Sequence, residues 1–211
     1  MPDPMGDFSY AWPFYAAAVL GYLLGSIPFG LVLTRIAGHG DIRQIGSGNI
    51  GATNVLRTGN KTLAAFTVLL DGGKGAVAFL IAGLFGPDMA VLAGGGAFLG
   101  HLFPVWLKFK GGKGVATASG ILIAASWPAG LLAFLTWLAM AGLFRYSSLA
   151  ALVASAIAPA YVWYFADLQR TEMAVFLAVL VFIRHHANIR RLLKGEESRI
   201  QLKGRNAGED A

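Results

Sequence analysis

Apolar runs long enough to cross a bilayer occupy most of this chain, and they set its class before any motif is considered. Residues 13–35, 62–85, 89–106, 147–166 and 172–192 each approach the roughly 20 residues a helix needs to traverse a hydrocarbon core. A further run, 114–144, is too long for one crossing of about 30 Å at about 1.5 Å per residue, and Trp127-Pro128 falls near its middle. Two short helices hinged there are the expected solution. The first of them, at 114–126, is short for a bilayer crossing, so tilt, local thinning or burial among neighbours is expected. Composition agrees: 56% of residues are hydrophobic and 13% charged, with a mean hydropathy of +0.61, against roughly 25% charged in soluble domains.

Charge orients the spans. With seven helices and the N-terminus outside, one side collects Arg35, Arg43, Arg57, Lys61, Lys108, Lys110, Lys113, Arg145 and Arg184, and the tail cations Arg190, Arg191, Lys194, Arg199, Lys203 and Arg205, leaving Arg170 opposite. Cytoplasmic loops carry such an excess, and treating 114–144 as one span would send the basic tail outward. The expected fold is therefore an all-α integral membrane protein of six or seven transmembrane helices, some short, seven being favoured by the charge count, with the N-terminus outside and a cytoplasmic C-terminus. Residues 1–198 form one domain and 199–211 a polar tail. The start, MPDPMGDFSYAWP, lacks the basic head of a signal peptide. The cluster Gly94, Gly95, Gly96, Ala97 and Gly100 suits close helix packing. A net charge of +6 needs no nucleic-acid partner. The absence of cysteine excludes disulfides, thiolate nucleophiles and cysteine metal sites.

Function is legible in three polar, glycine-rich and basic interruptions, at 46–61, 107–117 and 184–197, which charge counting puts on one membrane side. The first loop, 36–61, holds Asp41, Arg43, Ser47, Asn49, Thr53, Asn54 and Arg57 among five glycines, with apolar Ile42, Ile45, Ile50, Val55 and Leu56 between them. Such a segment can fold back against the membrane. Its glycines let backbone N–H groups converge on an anion, and arginine supplies a forked phosphate donor. The plainer alternative is a flexible loop with an Arg43/Asp41 contact. In the second stretch Gly111-Gly112-Lys113-Gly114 precedes a helix, where amides, dipole and lysine can meet a phosphate. Its spacing is not that of a Walker A loop, so no nucleotide is implied. A second GGKG, at 72–75, puts Asp71 and Lys74 inside a span, either as an i, i+3 ion pair or as part of a site.

His101, His185, His186 and Asn188 are the candidate acid/base and polar groups. His101 can instead bond a backbone carbonyl, and His186 can be interfacial. His185 and Asn188, one helical turn apart beside Arg184 and Arg191, make the stronger functional pair. No HExxH or comparable spacing is present, so no metal and no cofactor are expected.

GSIPFG at 25–30, DIRQIGSGNIGATNVLR at 41–57, GHLFPVWLKFKGGKGVAT at 100–117 and RHHANIRRLLKGEE at 184–197 resemble, in order and spacing, the signatures of the bacterial acyl-phosphate:glycerol-3-phosphate acyltransferases. The resemblance runs from Gly25 to Glu197. It implies a multi-pass inner-membrane enzyme with its active site facing the cytoplasm. That enzyme transfers a fatty acyl group from acyl phosphate to the 1-hydroxyl of sn-glycerol 3-phosphate. The products are 1-acylglycerol 3-phosphate (lysophosphatidate) and phosphate, in the first acylation step of phospholipid synthesis. The family pattern carries over at Ser26, Arg43, Ser47, Asn49, Thr53, Asn54 and Arg57, at His101, Lys108, Gly111, Gly112, Lys113 and Thr117, and at His185, Asn188, Arg191, Gly195 and Glu197.

The chemistry of the residues fits that resemblance. An acyl phosphate is an activated mixed anhydride, so positioning and charge stabilisation suffice without a covalent nucleophile or ATP, and the chain has neither a GxSxG elbow nor a cysteine. The expected catalytic groups are His185, Asn188, Ser26 and Lys113. Arg43, Lys108 and His185 are assigned to the glycerol 3-phosphate headgroup. The Gly111-Gly112-Lys113 loop, with Thr117 and Asn188, is assigned to the acyl phosphate and the developing oxyanion. Ser26 and Ser47 add hydrogen bonds, Asn49, Thr53, Asn54, Arg57, His101, Ser147 and Arg191 complete the substrate contacts, and Glu197 is structural. The hydroxyl proton can pass to His185 or, by preference, to the substrate's own phosphate, whose second pKa is near ~6. A monomer embedded in membrane lipid is expected. A phosphate transporter would need two related halves, which the sequence lacks, and a metal-dependent phosphatidyl transferase would need several aspartates where Asp71 stands alone.

Overall fold

The computed structural model describes residues 7–200, and among them every regular element is helical. Lys203 and Arg205, used in the charge count, and most of the polar tail lie outside the described residues. The helices are α1 (Phe8–Gly25), α2 (Phe29–Ile36), α3 (Ala52–Val55), α4 (Lys61–Gly83), α5 (Pro87–Leu102), α6 (Val115–Ala125), α7 (Trp127–Phe144), α8 (Ser147–Phe165), α9 (Leu168–Arg184) and α10 (His186–Leu193). Several starts are written locally. Asp7, Asn60 and Asp167 accept hydrogen bonds from Ser9, Leu63 and Arg170 N–H groups at 2.9, 3.0 and 2.9 Å, the N-cap arrangement that satisfies orphan donors. Pro87 and Pro128 occupy first-turn positions of α5 and α7, where a missing N–H is harmless.

Five helical segments are long and apolar enough to cross a membrane, rising to six if α9 and α10, bent by 61° at His185, count as one span. The expected break in 114–144 is present: Ser126 is extended (φ −156°, ψ 97°) between α6 and α7. At 11 residues, α6 is roughly 16 Å long, about half a hydrocarbon core. The first and last of the expected spans are interrupted, the first while still counting as one 29-residue crossing, Phe8–Ile36. The stretch 13–35 divides at Ser26-Ile27-Pro28 because proline lacks an N–H and drives the preceding residue away from helical geometry. The stretch 172–192 begins earlier, at the Asp167 cap, and bends where His185 leaves helical geometry (φ −99°, ψ 8°).

Glycine governs how closely these helices approach. A Cβ on Gly25 of α1 would lie 1.9 Å from the Ala97 carbonyl oxygen of α5, and one on Gly120 of α6 would lie 2.0 Å from the Gly72 oxygen of α4. Backbones in such contact gain dispersion energy that bulkier residues would forfeit. The glycine cluster of α5 behaves as expected, with Gly96 and Gly100 seated against Ala18 and Tyr22. A core of Phe98, Leu102, Ile121, Val162, Leu177 and Val181 joins α5, α6, α8 and α9. Outside it Leu69, Leu80, Leu138, Trp163 and Val179 face outward, an apolar belt suited to lipid.

Candidate active site

The first loop folds around Asn54. Its Nδ2 donates to the carbonyls of Ile42, Asn49 and Ile45 at 2.7, 2.9 and 3.2 Å, and its Oδ1 accepts from Ser47 N at 3.1 Å. Ile42, Ile50 and Val55 anchor the loop on Leu31 of α2 and Ala64 of α4. Asn54, expected among the substrate contacts, is therefore buried and committed to the backbone; it shapes the loop because an amide can bridge several strand-less carbonyls at once. Asn49 accepts from Gly51 N at 3.0 Å, and Ser47 is exposed. Arg43 donates to Asp41 through Nε at 2.9 Å, with Arg35 on the same carboxylate at 3.0 Å. The Arg43 hydrogen bond holds the Asp41 carboxyl well below the usual range, so this contact, the plainer alternative for the loop, competes with any phosphate for the Arg43 guanidinium.

The Gly111-Gly112 segment returns along the end of α5. Gly111 N donates to Leu102 O at 3.1 Å and Gly112 N to His101 O at 3.0 Å, so these two amides are not free for an anion. Arg184 forks the other side, donating to the carbonyls of Gly112 and Gly111 at 3.1 and 3.0 Å. Glycine is required by contact: a Cβ on Gly112 would stand 2.1 Å from His101 Nε2. Amides still available for an anion lie in the first turn of α6, after Gly114, whose φ of +83° starts that helix.

Lys113, Asn188 and Glu197 form the centre. Lys113 Nζ donates to Asn188 Oδ1 at 2.6 Å, and Asn188 Nδ2 donates to Glu197 Oε1 at 2.6 Å. Ser148 Oγ reaches the same carboxylate at 2.7 Å and Arg191 Nε reaches Oε2 at 2.6 Å. Burial, then the fields of Arg191, Arg184 and Arg57 against the pull of Glu197, lower the Lys113 ammonium to about 8. Burial pushes the Glu197 carboxyl up, but hydrogen bonds from Ser148, Asn188 and Arg191 outweigh it and hold it below its ordinary value. Three arginines thus act on the Lys113 ammonium, and one of them, Arg191, pairs with Glu197 directly. Arg57 donates to Ser198 at 3.1 Å, and Thr53 and Ser147 hydroxyls are 3.4 Å apart.

The profile of the family described as Glycerol-3-phosphate acyltransferase matches residues 15–195. The chain belongs to this family. It is 63% identical over 188 residues to the glycerol-3-phosphate acyltransferase of Mesorhizobium japonicum, covering 89% of this chain and 96% of that protein. The Rhodospirillum rubrum protein of the same description is 57% identical over 215 residues, covering 96% and 100%. Among solved structures, PlsY (YgiH), described as an integral membrane glycerol 3-phosphate acyltransferase, matches in its glycerol 3-phosphate form with a TM-score of 0.84 and 38% identity, covering 89% of this chain and 96% of that one. Its lysophosphatidic acid form matches at 0.82 and 37%, covering 89% and 95%.

Within this glycerol-3-phosphate acyltransferase fold, His185 is buried and its Nδ1 donates to Val181 O at 2.8 Å. In the neutral ring that leaves Nε2 as an acceptor. Other expected residues stand apart from the Lys113 centre. Ser26 is buried, donates to Tyr22 O at 2.7 Å and packs against Gly100. Thr117 is buried against Gly75 in the contact of α4 with α6, its Oγ1 without a partner. His101 is buried and bonds no carbonyl through Nδ1, because Asp71 lies on that side at 3.7 Å. Lys108 is exposed at the left-handed end (φ 53°) of the Val105–Leu107 turn. His186 is exposed, with Nδ1 3.0 Å from Ile183 O. Two contributors escaped the sequence reading as site groups: Arg184, visible as the first residue of RHHAN, and Ser148, whose neighbour Ser147 was singled out. Among the described residues no group of three or more histidine, aspartate or glutamate side chains could hold a metal.

Proposed function

We propose that this chain transfers a fatty acyl group from acyl phosphate to the 1-hydroxyl of sn-glycerol 3-phosphate, at the cytoplasmic face of a bacterial inner membrane. The observation that supports the reading is the gathering of Arg57, Arg184 and Arg191 around Lys113, with Glu197 as the carboxylate that partly offsets their field, in a member of the glycerol-3-phosphate acyltransferase family. That surplus of positive charge suits two phosphates held side by side. The attacking hydroxyl forms a new bond to the acyl carbon, the bond from that carbon to the phosphate oxygen breaks, and inorganic phosphate leaves. The hydroxyl proton passes to a substrate phosphate, with Nε2 of His185 as the protein's alternative acceptor. Lys113 and the α6 amides stabilise charge on the leaving phosphate, and Asn188 holds the Lys113 ammonium in place.

A groove of about 760 Å³ between α1, α5 and α9, lined by Phe14, Val19, Tyr22, Gly95, Leu99 and Phe176, offers room for an acyl chain. It starts one helical turn from Ser26. In this reading α6 serves as a half-length fourth crossing among seven, the basic loops face the cytoplasm, and the protein works as a monomer without cofactor. The test is purified protein with sn-glycerol 3-phosphate and palmitoyl phosphate, without metal or nucleotide, beside matched reactions with palmitoyl-CoA and acyl carrier protein thioester. Lysophosphatidate and phosphate from acyl phosphate alone support the reading. Product only from thioesters keeps the acyl transfer and overturns the donor.

A further inference from the structure

Asp71, Lys74 and His101 form a polar cluster inside the apolar bundle, and of the three only His101 touches the site described above, through Gly112. On α4 the Asp71 and Lys74 side chains are 3% and 1% exposed, and Nζ donates to Oδ1 at 2.8 Å. Removing two charges from water costs several kcal/mol per ion unless further hydrogen bonds compensate, and intramembrane charges of this kind mark function more often than glue. The further contacts of this pair run to two particular places. Lys74 Nζ also donates to the Ile27 carbonyl at 2.7 Å and lies 5.7 Å from the Phe29 ring centroid. Ile27 belongs to the break between α1 and α2, beside Ser26, and Phe29 opens α2. On the other side Asp71 Oδ1 is 3.7 Å from His101 Nδ1, and His101 Nε2 abuts Gly112, the neighbour of Lys113. The cluster therefore bridges the Ser26 break and the glycine-lysine loop, two segments far apart in sequence.

We propose that Asp71 and Lys74, acting through Ile27 and His101, are positioning residues that hold these two segments at one separation. None of the three bonds Lys113, Asn188 or Glu197 directly. Each segment keeps its own anchors: Trp106 Nε1 holds Ser26 O at 2.7 Å, and Asn188 holds Lys113 at 2.6 Å. Loss of the bridge therefore loosens the alignment between reactants more than the affinity for either. The proposal rests on the acyl-transfer reading for its kinetic consequence and on geometry alone for its structural one.

The test uses the full chain in detergent or lipid nanodiscs. The paired variant D71N/K74M removes both charges at nearly constant size, so no unpaired ion is left buried. It is expected to fold with a Tm within about 5 °C of the parent. Its kcat should fall roughly ten- to a hundred-fold, as for small misalignments of reacting groups, with both KM values changed less than about three-fold. Lys74→Arg, which keeps the cation and its donors, should retain most turnover. Because the chain has no cysteine, spin labels placed through His39→Cys, just past α2, and Lys110→Cys, both exposed, report how the helix that follows the break sits against the glycine-lysine loop, and the neutral pair should broaden that distance distribution. Unchanged kcat together with an unchanged distribution overturns the proposal. Should the pair fail to fold, His101→Asn must give the same kinetic split and broadening, and its failure to do so overturns the proposal equally. A parent protein inactive with acyl phosphate refutes the donor reading, while the spin-label distances still decide whether the bridge positions the two segments.

Discussion

Lys113 and Asn188 stand 75 residues apart in sequence, and the lysine ammonium donates to the asparagine oxygen at 2.6 Å. The bond fastens the loop before α6 to the first turns of α10 and hands its polarity on to Glu197 through the other arm of the amide. It also explains why a lysine with three arginines in its neighbourhood remains ordered: the carboxylate end of the chain partly offsets their field.

The ammonium of Lys113 is lowered to about 8, first by burial. It is charged below that pH and neutral above it, so anion binding should be fully supported on the acid side. A pH profile of kcat/KM for either phosphorylated substrate should decline as pH rises through about 8. Lys113→Arg, which stays charged, should remove that decline, even if its reach lowers the plateau. A profile unchanged by this substitution would assign the decline to another group.

Glu197 receives three charged or polar donors, from Ser148, Asn188 and Arg191. Glu197→Ala should cost roughly 3 kcal/mol, because the donors lose a charged acceptor and the cations lose their counter-ion. Thermal unfolding followed in detergent checks the size. The carboxyl is held below its ordinary value in the fold, so its contribution to stability is present above that ordinary value and is lost as pH falls through the lowered one. The Glu197→Gln variant should lack that acid-side loss.

Gly112→Ala should abolish most activity, by roughly ten-fold or more. The added methyl would meet His101 Nε2 at 2.1 Å, and the loop must shift away from α5, carrying Lys113 with it. Steady-state turnover measured beside the melting temperature separates loss of alignment from loss of fold.

Gly95→Leu fills the groove between α1, α5 and α9, since a Cβ there meets nothing nearer than Phe176 at 3.8 Å. If acyl chains lie in this groove, turnover of palmitoyl phosphate should fall several-fold relative to octanoyl phosphate. Equal loss for both chain lengths would place the chain elsewhere.

Much of this architecture is legible in the primary structure because it depends on local chemistry. Runs of apolar residues cannot satisfy their backbone groups in lipid except as helices, and the hinge at Ser126 follows from a run too long for one crossing with a proline at 128. The basic, glycine-rich stretches likewise mark out the segments that gather around Lys113. Less legible were the interruption at Ser26-Ile27-Pro28, which proline imposes within one crossing, and the 61° bend at His185, where the backbone leaves helical geometry.

By itself, then, the sequence determined a membrane bundle with basic, glycine-rich polar loops, because hydrophobicity, charge and glycine content act within a few residues of where they occur. Only tertiary structure decided which members of those loops are committed to holding the fold. It committed the amide of Asn54 to three carbonyls, engaged the N–H groups of Gly111 and Gly112 with α5, and brought Glu197 to Ser148, Asn188 and Arg191. Each of those outcomes depends on distances between remote segments. Such distances are set by how closely glycine-faced helices pack, a property of pairs of helices that no local pattern contains.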